Sequence, residues 1–126
     1  MTQKNGGRVS ASSLSIGKIK ELNERYALTL GDIAAVLDVA PKTISRWTKS
    51  RKSSENISEQ KADSLEILES LLTLGKEVLG SDDELNHWLH SPVFALDGNK
   101  PVDLIKTESG RRRVEEVLHQ IEHGIL

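Results

Sequence analysis

The sequence predicts an all-α protein in which an N-terminal helix-turn-helix domain is joined by a long helix to a small helical domain at the C-terminus. Three observations predict this fold. Apolar residues recur three and four positions apart through most of the chain, which is the period of an amphipathic helix. Two short segments of this kind lie on either side of a break at 38–40, as in a helix-turn-helix. The apolar-polar alternation of a strand does not extend over any useful length.

The composition fits one ordinary globular domain or two small ones that share a core. The chain has 126 residues, of which 37% are hydrophobic and 29% are charged. No apolar run approaches the roughly 18 residues of a membrane span, and the first residues lack the apolar segment of a secretion signal. Cysteine is absent, which excludes disulfides and thiolate metal sites. We therefore expect a cytoplasmic protein with no membrane partner.

The formal net charge of -2 hides an uneven distribution of charge. Residues 1–60 carry 10 Lys and Arg against 6 Asp and Glu, whereas residues 61–126 carry 7 against 13. A basic first half suits a nucleic-acid partner, and an acidic second half suits a partner of another kind.

The N-terminal end divides into a tail and a first helix. Residues 1–14 are predicted to be a flexible tail, because they include two adjacent glycines and few apolar residues. The helix-turn-helix DNA-binding domain is predicted to span 15–75. Its first helix has apolar residues at helical spacing, namely Ile16, Ile19, Leu22 and Tyr26.

The helix-turn-helix pair itself has recognisable start signals. Thr29 is placed to cap the first helix of the pair. Pro41 suits the first turn of the second, where its missing N–H costs nothing. The first helix of the pair has an inner apolar face formed by Leu30, Ile33 and Leu37.

The second helix of the pair divides into an apolar face and a basic face. Ile44 and Trp47 share one side of a helical wheel, and the cations gather on the other. A recognition helix needs this division, because Arg and Lys reach base edges or phosphates while the back of the helix packs on a core. The alternative is that these cations only form a solvated charged face. In that case Arg51 and Lys52 lie near the negative end of the helix dipole. The predicted DNA-binding residues are Lys42, Thr43, Ser45, Arg46, Lys49, Arg51 and Lys52.

The longest helical pattern opens at Ser58 and runs to about Leu79. Its apolar residues form two stripes on two sides of the helix. A helix that is apolar on two sides is buried on two sides. We therefore expect it to close the DNA-binding core and to meet the C-terminal module or a second subunit. Gly75 interrupts the pattern and marks a bend or a close crossing of helices. The two apolar stripes are Leu65, Leu68, Leu72 and Leu79, and Ile67, Leu71, Leu74 and Val78.

The second domain is predicted to span 76–126. Acidic residues at 82–84 favour the start of a short helix, which stops before Pro92 because the residue before a proline resists the helical conformation. A turn is predicted at 97–100 and a single helical turn at 101–105.

The last helix of the second domain has a start signal, a stripe and a stop signal. Thr107 is placed to cap it, and Gly124 is placed to end it. Its apolar stripe is Val114, Val117, Leu118 and Ile121.

The second half also contains an ordered series of short motifs. They are Trp88-Leu89, Pro92, Ala95-Leu96-Asp97-Gly98, Pro101-Val102-Asp103-Leu104-Ile105, and Thr107 with Gly110. In this order they resemble the toxin-binding domain of the Xre/MbcA/ParS antitoxin family, in which an A-L-G-G-like turn, a P-x-D-L-L step and a T-x-x-G helix start follow a short helix. With the helix-turn-helix in front, which resembles the Xre type, the resemblance covers 15–126. Asp97 stands where the family often has glycine, and Ile105 where it often has leucine.

The resemblance implies the antitoxin of a type II toxin-antitoxin system. Its partner would be a RES-domain toxin, of a family that depletes cellular NAD. The antitoxin would be a homodimer that covers the active site of the toxin, and the pair would bind operator DNA at its own promoter and repress it.

Two features of the second domain allow both a structural and a functional interpretation. The apolar tip Ile125-Leu126 either tucks onto its own domain or a second subunit, or inserts toward a toxin pocket. The arginines at 111–113 either pair with acids four residues on, Arg111 with Glu115 and Arg112 with Glu116, or contact an external partner. The residues predicted to bind the toxin are Arg111, Arg112, Gly124, Ile125 and Leu126.

An enzyme is not expected, because the sequence has no phosphate-cradling glycine loop and no nucleophile motif. No cofactor is expected either. The histidines form two pairs at helical spacing, but we identify no carboxylate at a supporting spacing and expect no metal site. An alternative is a stand-alone transcriptional repressor whose C-terminal domain serves dimerisation, and a third is an inhibitor that has lost DNA binding. The histidines are His87, His90, His119 and His123.

Overall fold

The computed structural model describes residues 11–49 and 57–126, with side chains from Ser15 onward. The predicted all-α fold is confirmed for these residues. Val93 and Asn99 form one isolated antiparallel bridge, and the described residues contain no strand. The helices are α1 (Ala11–Tyr26), α2 (Leu30–Leu37), α3 (Pro41–Lys49), α4 (Glu59–Leu79), α5 (Asp82–Leu89), a 3₁₀ turn (Phe94–Leu96), α6 (Pro101–Leu104) and α7 (Glu108–Glu122).

Helix α1 begins earlier than the sequence predicted. Residues 11–14 belong to it rather than to a tail, and residues 1–10 lie outside the described residues. Extending an existing helix gains one hydrogen bond for each added residue, so α1 continues about one turn before its first apolar position.

Hydroxyl side chains cap four of the helices at their N-termini. Thr29 forms a capping box with Asp32, in which each side chain accepts from the other residue's backbone N–H at 2.9 Å. Ser58, Ser81 and Thr107 accept from the backbone N–H three residues on. The starts of α2, α4, α5 and α7 are therefore fixed by local chemistry, as the sequence predicted for Thr29 and Thr107.

Helices α2 and α3 lie on either side of a short turn, at the positions where the sequence predicted the two helices of a helix-turn-helix. Asp38 ends α2 in the left-handed conformation, with φ at 56°, and its N–H bonds back to Ala34 and Ala35. Ile33 and Ile44 are fully buried between the helices, and Trp47 is nearly so. The turn and this core fix the direction in which α3 presents its other face.

Helix α4 is a wall shared by both halves of the molecule. It contacts α1 and α2 of the first half and α5 and α7 of the second, as its two apolar stripes predicted. Leu65 and Leu68 are buried, but Ile67 on the second stripe stays 58% exposed. The close crossing predicted at Gly75 is also present, because a Cβ there would lie 2.6 Å from Cδ1 of Leu85 in α5.

Polar contacts join the end of α1 to the second half. The hydroxyl of Tyr26 donates to Asp82 Oδ1 at 2.8 Å, and Nε2 of His90 donates to the Tyr26 carbonyl oxygen at 2.9 Å. Burial, and then the hydrogen bond to Asp82, raise the pKa of the Tyr26 phenol. Helix α2 also contacts the second half, because Lys106 Nζ lies 3.4 Å from Asp32 Oδ1. Tyr26 is therefore a core and contact residue between the halves.

Among the residues that the structure describes, no helix is both long and apolar enough to span a lipid bilayer. The predicted boundary at residue 75 falls inside α4, which continues from Glu59 to Leu79. The division into 15–75 and 76–126 stays a prediction.

Candidate functional site

Helix α3 presents a row of cations to solvent. Lys42, Arg46 and Lys49 are exposed, while Thr43 and Ser45 beside them are half-buried. Lys42 and Lys49 make no ion pair within the described residues. This is the arrangement that the helical wheel predicted for a recognition helix. Arg51 and Lys52, also predicted to bind DNA, lie outside the described residues.

The opposite face of α3 is fixed. Ile44 has no exposed surface and Trp47 has 5%, so the helix cannot rotate without exposing both. Within α3, the Thr48 hydroxyl donates to the Ser45 carbonyl oxygen at 3.1 Å. A rigid back and an exposed cationic front are what a helix needs in order to enter a major groove.

The three arginines of α7 are engaged within their own half of the molecule. Arg111 Nη1 donates to the Ile105 carbonyl oxygen at 2.8 Å, and Arg113 Nη2 donates to the Ala95 carbonyl oxygen at 2.8 Å. Arg112 pairs with Glu108 at 3.0 Å, one turn before it. Of the two interpretations, the pairing with acids four residues on is wrong for both arginines, since Arg111 contacts the Ile105 carbonyl oxygen and Arg112 contacts Glu108. An acid that precedes its base by four residues is the favourable order on a helix.

Partial burial changes the chemistry of Arg111. Desolvation lowers the pKa of its guanidinium, and the nearby Glu108 carboxylate acts in the opposite direction. Since its Nη1 already holds a backbone carbonyl, Arg111 supports the junction between α6 and α7.

Gly110 makes that junction possible. It is buried, and a Cβ at this position would collide with the carbonyl oxygen of Leu104 and approach Thr107 Oγ1. The Thr107 hydroxyl accepts from the Gly110 N–H at 3.0 Å. The threonine and glycine of the T-x-x-G motif together allow α7 to pack against the end of α6.

The turn at 93–99 carries an exposed aromatic residue that the sequence pattern did not predict. Phe94 is 98% exposed. The turn is fixed by Asp97, whose φ of 59° is in the left-handed region, and by the Gly98 N–H donating to the Val93 carbonyl oxygen at 2.9 Å. Asp97 occupies the conformation that suits the family's usual glycine, and Asp tolerates it better than most residues. Nothing in the apolar periodicity indicated that Phe94 points outward.

The predicted apolar tip is also exposed. Ile125 is 69% exposed and Leu126 is 61% exposed, so neither side chain packs closely on its own chain. Gly124 precedes them with a φ of 70°, and the Ile125 N–H donates to the Gln120 carbonyl oxygen at 2.8 Å. The tip therefore leaves α7 in a defined direction.

A cluster of two histidines and one glutamate lies at the end of α7. His119, Glu122 and His123 offer ligand atoms that all lie within 4.8 Å of one another. The prediction that no carboxylate has a supporting spacing is wrong, because Glu122 follows His119 by three residues and directly precedes His123.

Comparison with known proteins identifies the second half. Residues 74–124 match the family model described as the antitoxin Xre/MbcA/ParS C-terminal toxin-binding domain. This half of the chain therefore matches the toxin-binding domain of the Xre/MbcA/ParS antitoxins. The resemblance drawn from the motifs between Trp88 and Gly110 is thereby confirmed.

Members of the Xre/MbcA/ParS family from mycobacteria are similar over nearly the whole chain. The mycobacterial cidal antitoxin MbcA of Mycobacterium tuberculosis H37Rv is 29% identical over 120 residues, which cover 95% of this chain and 97% of the relative. MbcA of Mycobacterium bovis gives the same values. A probable mycobacterial cidal antitoxin of M. tuberculosis is 27% identical and covers 90% of each chain. These relatives are antitoxins and not enzymes, which agrees with the absence of catalytic motifs.

A solved structure supports the fold. A chain from the crystal structure of the M. tuberculosis MbcT-MbcA toxin-antitoxin complex superposes with a TM-score of 0.58 and 22% sequence identity. The superposition covers 88% of this chain and 96% of that one. The fold described above is therefore similar to that of a chain in this complex.

Proposed function

We propose that this protein is an antitoxin that neutralises a RES-domain, NAD-depleting toxin by covering its active site. The single observation that carries the proposal is the family match over 74–124, which falls on the half that displays Phe94, Ile125 and Leu126. The proposed toxin contacts remain Arg111, Arg112, Gly124, Ile125 and Leu126. We place both the antitoxin and its partner in the cytoplasm.

The exposed apolar residues support a protein partner. Large apolar side chains on a defined backbone are characteristic anchors of protein interfaces. Arg112 adds a cation whose side chain is 72% exposed. Arg111, in contrast, already donates to Ile105, so its contact with the toxin would use the guanidinium nitrogens that this bond leaves available.

A truncation tests the covering role of the tip. The full chain and a variant ending at Gly124 are each co-expressed with the RES-domain toxin that we propose as the partner, and growth and cellular NAD are measured. We expect the truncation to lose protection and to weaken the complex by about 2 kcal/mol or more. The matched control replaces Ile125 and Leu126 with valine, which keeps the tip apolar. Full protection by the truncated chain contradicts the covering role.

Phe94→Ala tests the second exposed anchor. The ring contributes almost nothing to the core, so unfolding should change by less than about 0.5 kcal/mol, while toxin affinity should fall by about 2 kcal/mol. Binding is measured by titration calorimetry with the purified toxin. An unchanged affinity removes Phe94 from the interface without affecting the result for the tip.

We propose further that α3 binds operator DNA and that the antitoxin represses its own promoter. The support is the exposed row of Lys42, Arg46 and Lys49 on a helix whose back is buried. Homodimerisation would place two such helices on two half-sites. Ile67 supports a homodimer, because it is exposed on the otherwise packed second stripe of α4.

Two substitutions in α3 distinguish a contact with base edges from a contact with phosphates. We expect Arg46→Ala to lower specific affinity by about 1 to 3 kcal/mol at matched salt, and Lys42→Ala to weaken binding to all sequences and lower the salt slope by about 1. Lys100→Ala, an exposed cation in the other half, is the control and should change neither. If Arg46→Ala binds the operator as the natural chain does, Arg46 does not read bases.

The stand-alone repressor is the competing proposal. It requires operator binding and dimerisation without any toxin partner. A chain that binds its operator but neither binds nor neutralises the proposed RES-domain toxin would establish it.

A further inference from the structure

We infer that His119, Glu122 and His123 form a binding site for a divalent transition-metal ion such as Zn²⁺ at the C-terminal end of α7. The three side chains follow the pattern His-x-x-Glu-His, so one helical turn carries all of them. The proposal does not depend on the proposed antitoxin function.

The distances between ligand atoms suit one ion. His119 Nδ1 lies 3.2 Å from Glu122 Oε1, and His123 Nε2 lies 3.8 Å from the same oxygen. Bonds of about 2.0–2.2 Å from nitrogen and oxygen to tetrahedral zinc place neighbouring ligands about 3.3–3.5 Å apart. All three ligand atoms lie within 4.8 Å of one another, so small side-chain rotations bring them to a common centre.

The surroundings of the cluster favour a cation. The carboxylate of Glu122 supplies negative charge, and the C-terminus of α7 adds the negative end of a helix dipole. The rings of His119 and His123 are stacked with an interplanar angle of 19° and centroids 6.4 Å apart. Two imidazoles and one carboxylate are a ligand set that zinc accepts, with a fourth position left for water or another donor.

The alternative is that these residues form only a surface ion pair. In that case His119 pairs with Glu122 when it is protonated, and the stacking of His123 has no further consequence. Exposure is compatible with both alternatives, so direct metal titration has to decide between them.

The test is calorimetric titration of the untagged full chain with ZnCl₂ in a buffer that does not chelate zinc. We expect one saturable site. His123→Ala and Glu122→Gln should each weaken Zn²⁺ binding by more than the roughly 10- to 100-fold that losing an outer-shell partner costs. His87→Ala, an exposed histidine on α5, is the matched control and should bind as the natural chain does.

Ring signals in NMR spectra give an independent readout. Zinc should shift the imidazole signals of His119 and His123 and leave those of His87 and His90 in place. Circular dichroism checks that each variant keeps its helices. Absence of saturable binding, or binding that His123→Ala does not weaken, overturns the proposal.

Discussion

Helices α3 and α7 both carry several cations, but they use them differently. Lys42 and Lys49 of α3 point into solvent and form no ion pair within the described part of the chain. Arg111 and Arg113 of α7 each donate a 2.8 Å hydrogen bond to a backbone carbonyl oxygen of a neighbouring segment. The first set is exposed to solvent, whereas the second supports the half that carries Phe94 and the apolar tip.

The difference teaches that a cluster of arginines does not by itself identify a binding surface. A guanidinium that already holds a buried or half-buried carbonyl contributes to the fold, and its removal leaves that carbonyl without a partner. A lysine with no such contact contributes little to the fold. Substitutions in the two halves should therefore affect different measurements.

The largest expected effect comes from a pair of helical glycines, one in each half. Gly110→Ala should destabilise the protein by about 3 kcal/mol, because the added Cβ meets the Leu104 carbonyl oxygen. Gly31→Ala in α2 should stabilise it by up to about 1 kcal/mol, since that Cβ meets only Thr29 Oγ1 at 3.6 Å. Chemical denaturation measures both. Equal effects at both positions would mean that α7 can move away from α6 at little cost.

Next comes a direct comparison of the cations. Arg111→Ala should lower the free energy of unfolding by about 1 to 2 kcal/mol, because the Ile105 carbonyl oxygen loses a charged donor. Lys42→Ala should change it by less than about 0.5 kcal/mol. Denaturant titrations of the two variants side by side measure the difference. A larger loss of unfolding free energy for Lys42→Ala would show that Lys42, and not Arg111, supports the fold.

Tyr26 tests how firmly the two halves are joined. The hydrogen bond to Asp82 should make the natural chain about 1 kcal/mol more stable than Tyr26→Phe below pH 10. The folded pKa is raised above the unfolded value of about 10, so the unfolded chain ionises first and this advantage declines as the pH rises through the folded pKa.

Two measurements follow this titration. Unfolding of both chains is recorded across the alkaline range, and phenolate absorbance reports Tyr26 alone, because it is the one tyrosine in the sequence. A phenol that titrates at its ordinary pKa, with a stability difference that does not change with pH, would contradict the contact.

The smallest effect concerns the residue that follows α1. Ala27 has a φ of 53°, a conformation that costs alanine more than glycine. Ala27→Gly should therefore stabilise the protein by about 0.5 to 1 kcal/mol. Ala35→Gly, at an exposed position within α2, should destabilise it by a similar amount. Destabilisation by both would show that flexibility in the unfolded chain dominates at Ala27.

The sequence predicted the elements whose cause is local. Thr29 and Thr107 cap helices through their own backbone neighbours, and Pro41 begins α3. The stripe of α4 predicted burial on two sides, and Gly75 predicted a close crossing. In each case the residues that carry the signal are also the residues that form the contact.

What the sequence did not predict depends on contacts between distant segments. Tyr26 meets Asp82 across 56 positions, and no periodicity relates them. The outward direction of Phe94 follows from the left-handed turn at Asp97, and the backbone bond of Arg111 follows from the approach of α6. Glu122 is different, because its spacing from His119 and His123 can be read directly from the sequence.

The shared position of α4 has a consequence for unfolding. Because α4 provides buried leucines to a core that reaches both halves, neither half retains a complete core when the other melts. Thermal unfolding should therefore show one cooperative transition with the same midpoint for Trp47 fluorescence in the first half and for Trp88 fluorescence in the second, each measured after the other tryptophan is replaced by phenylalanine. A substitution that stabilises α3 would then also raise the melting temperature of the half that matches the toxin-binding domain.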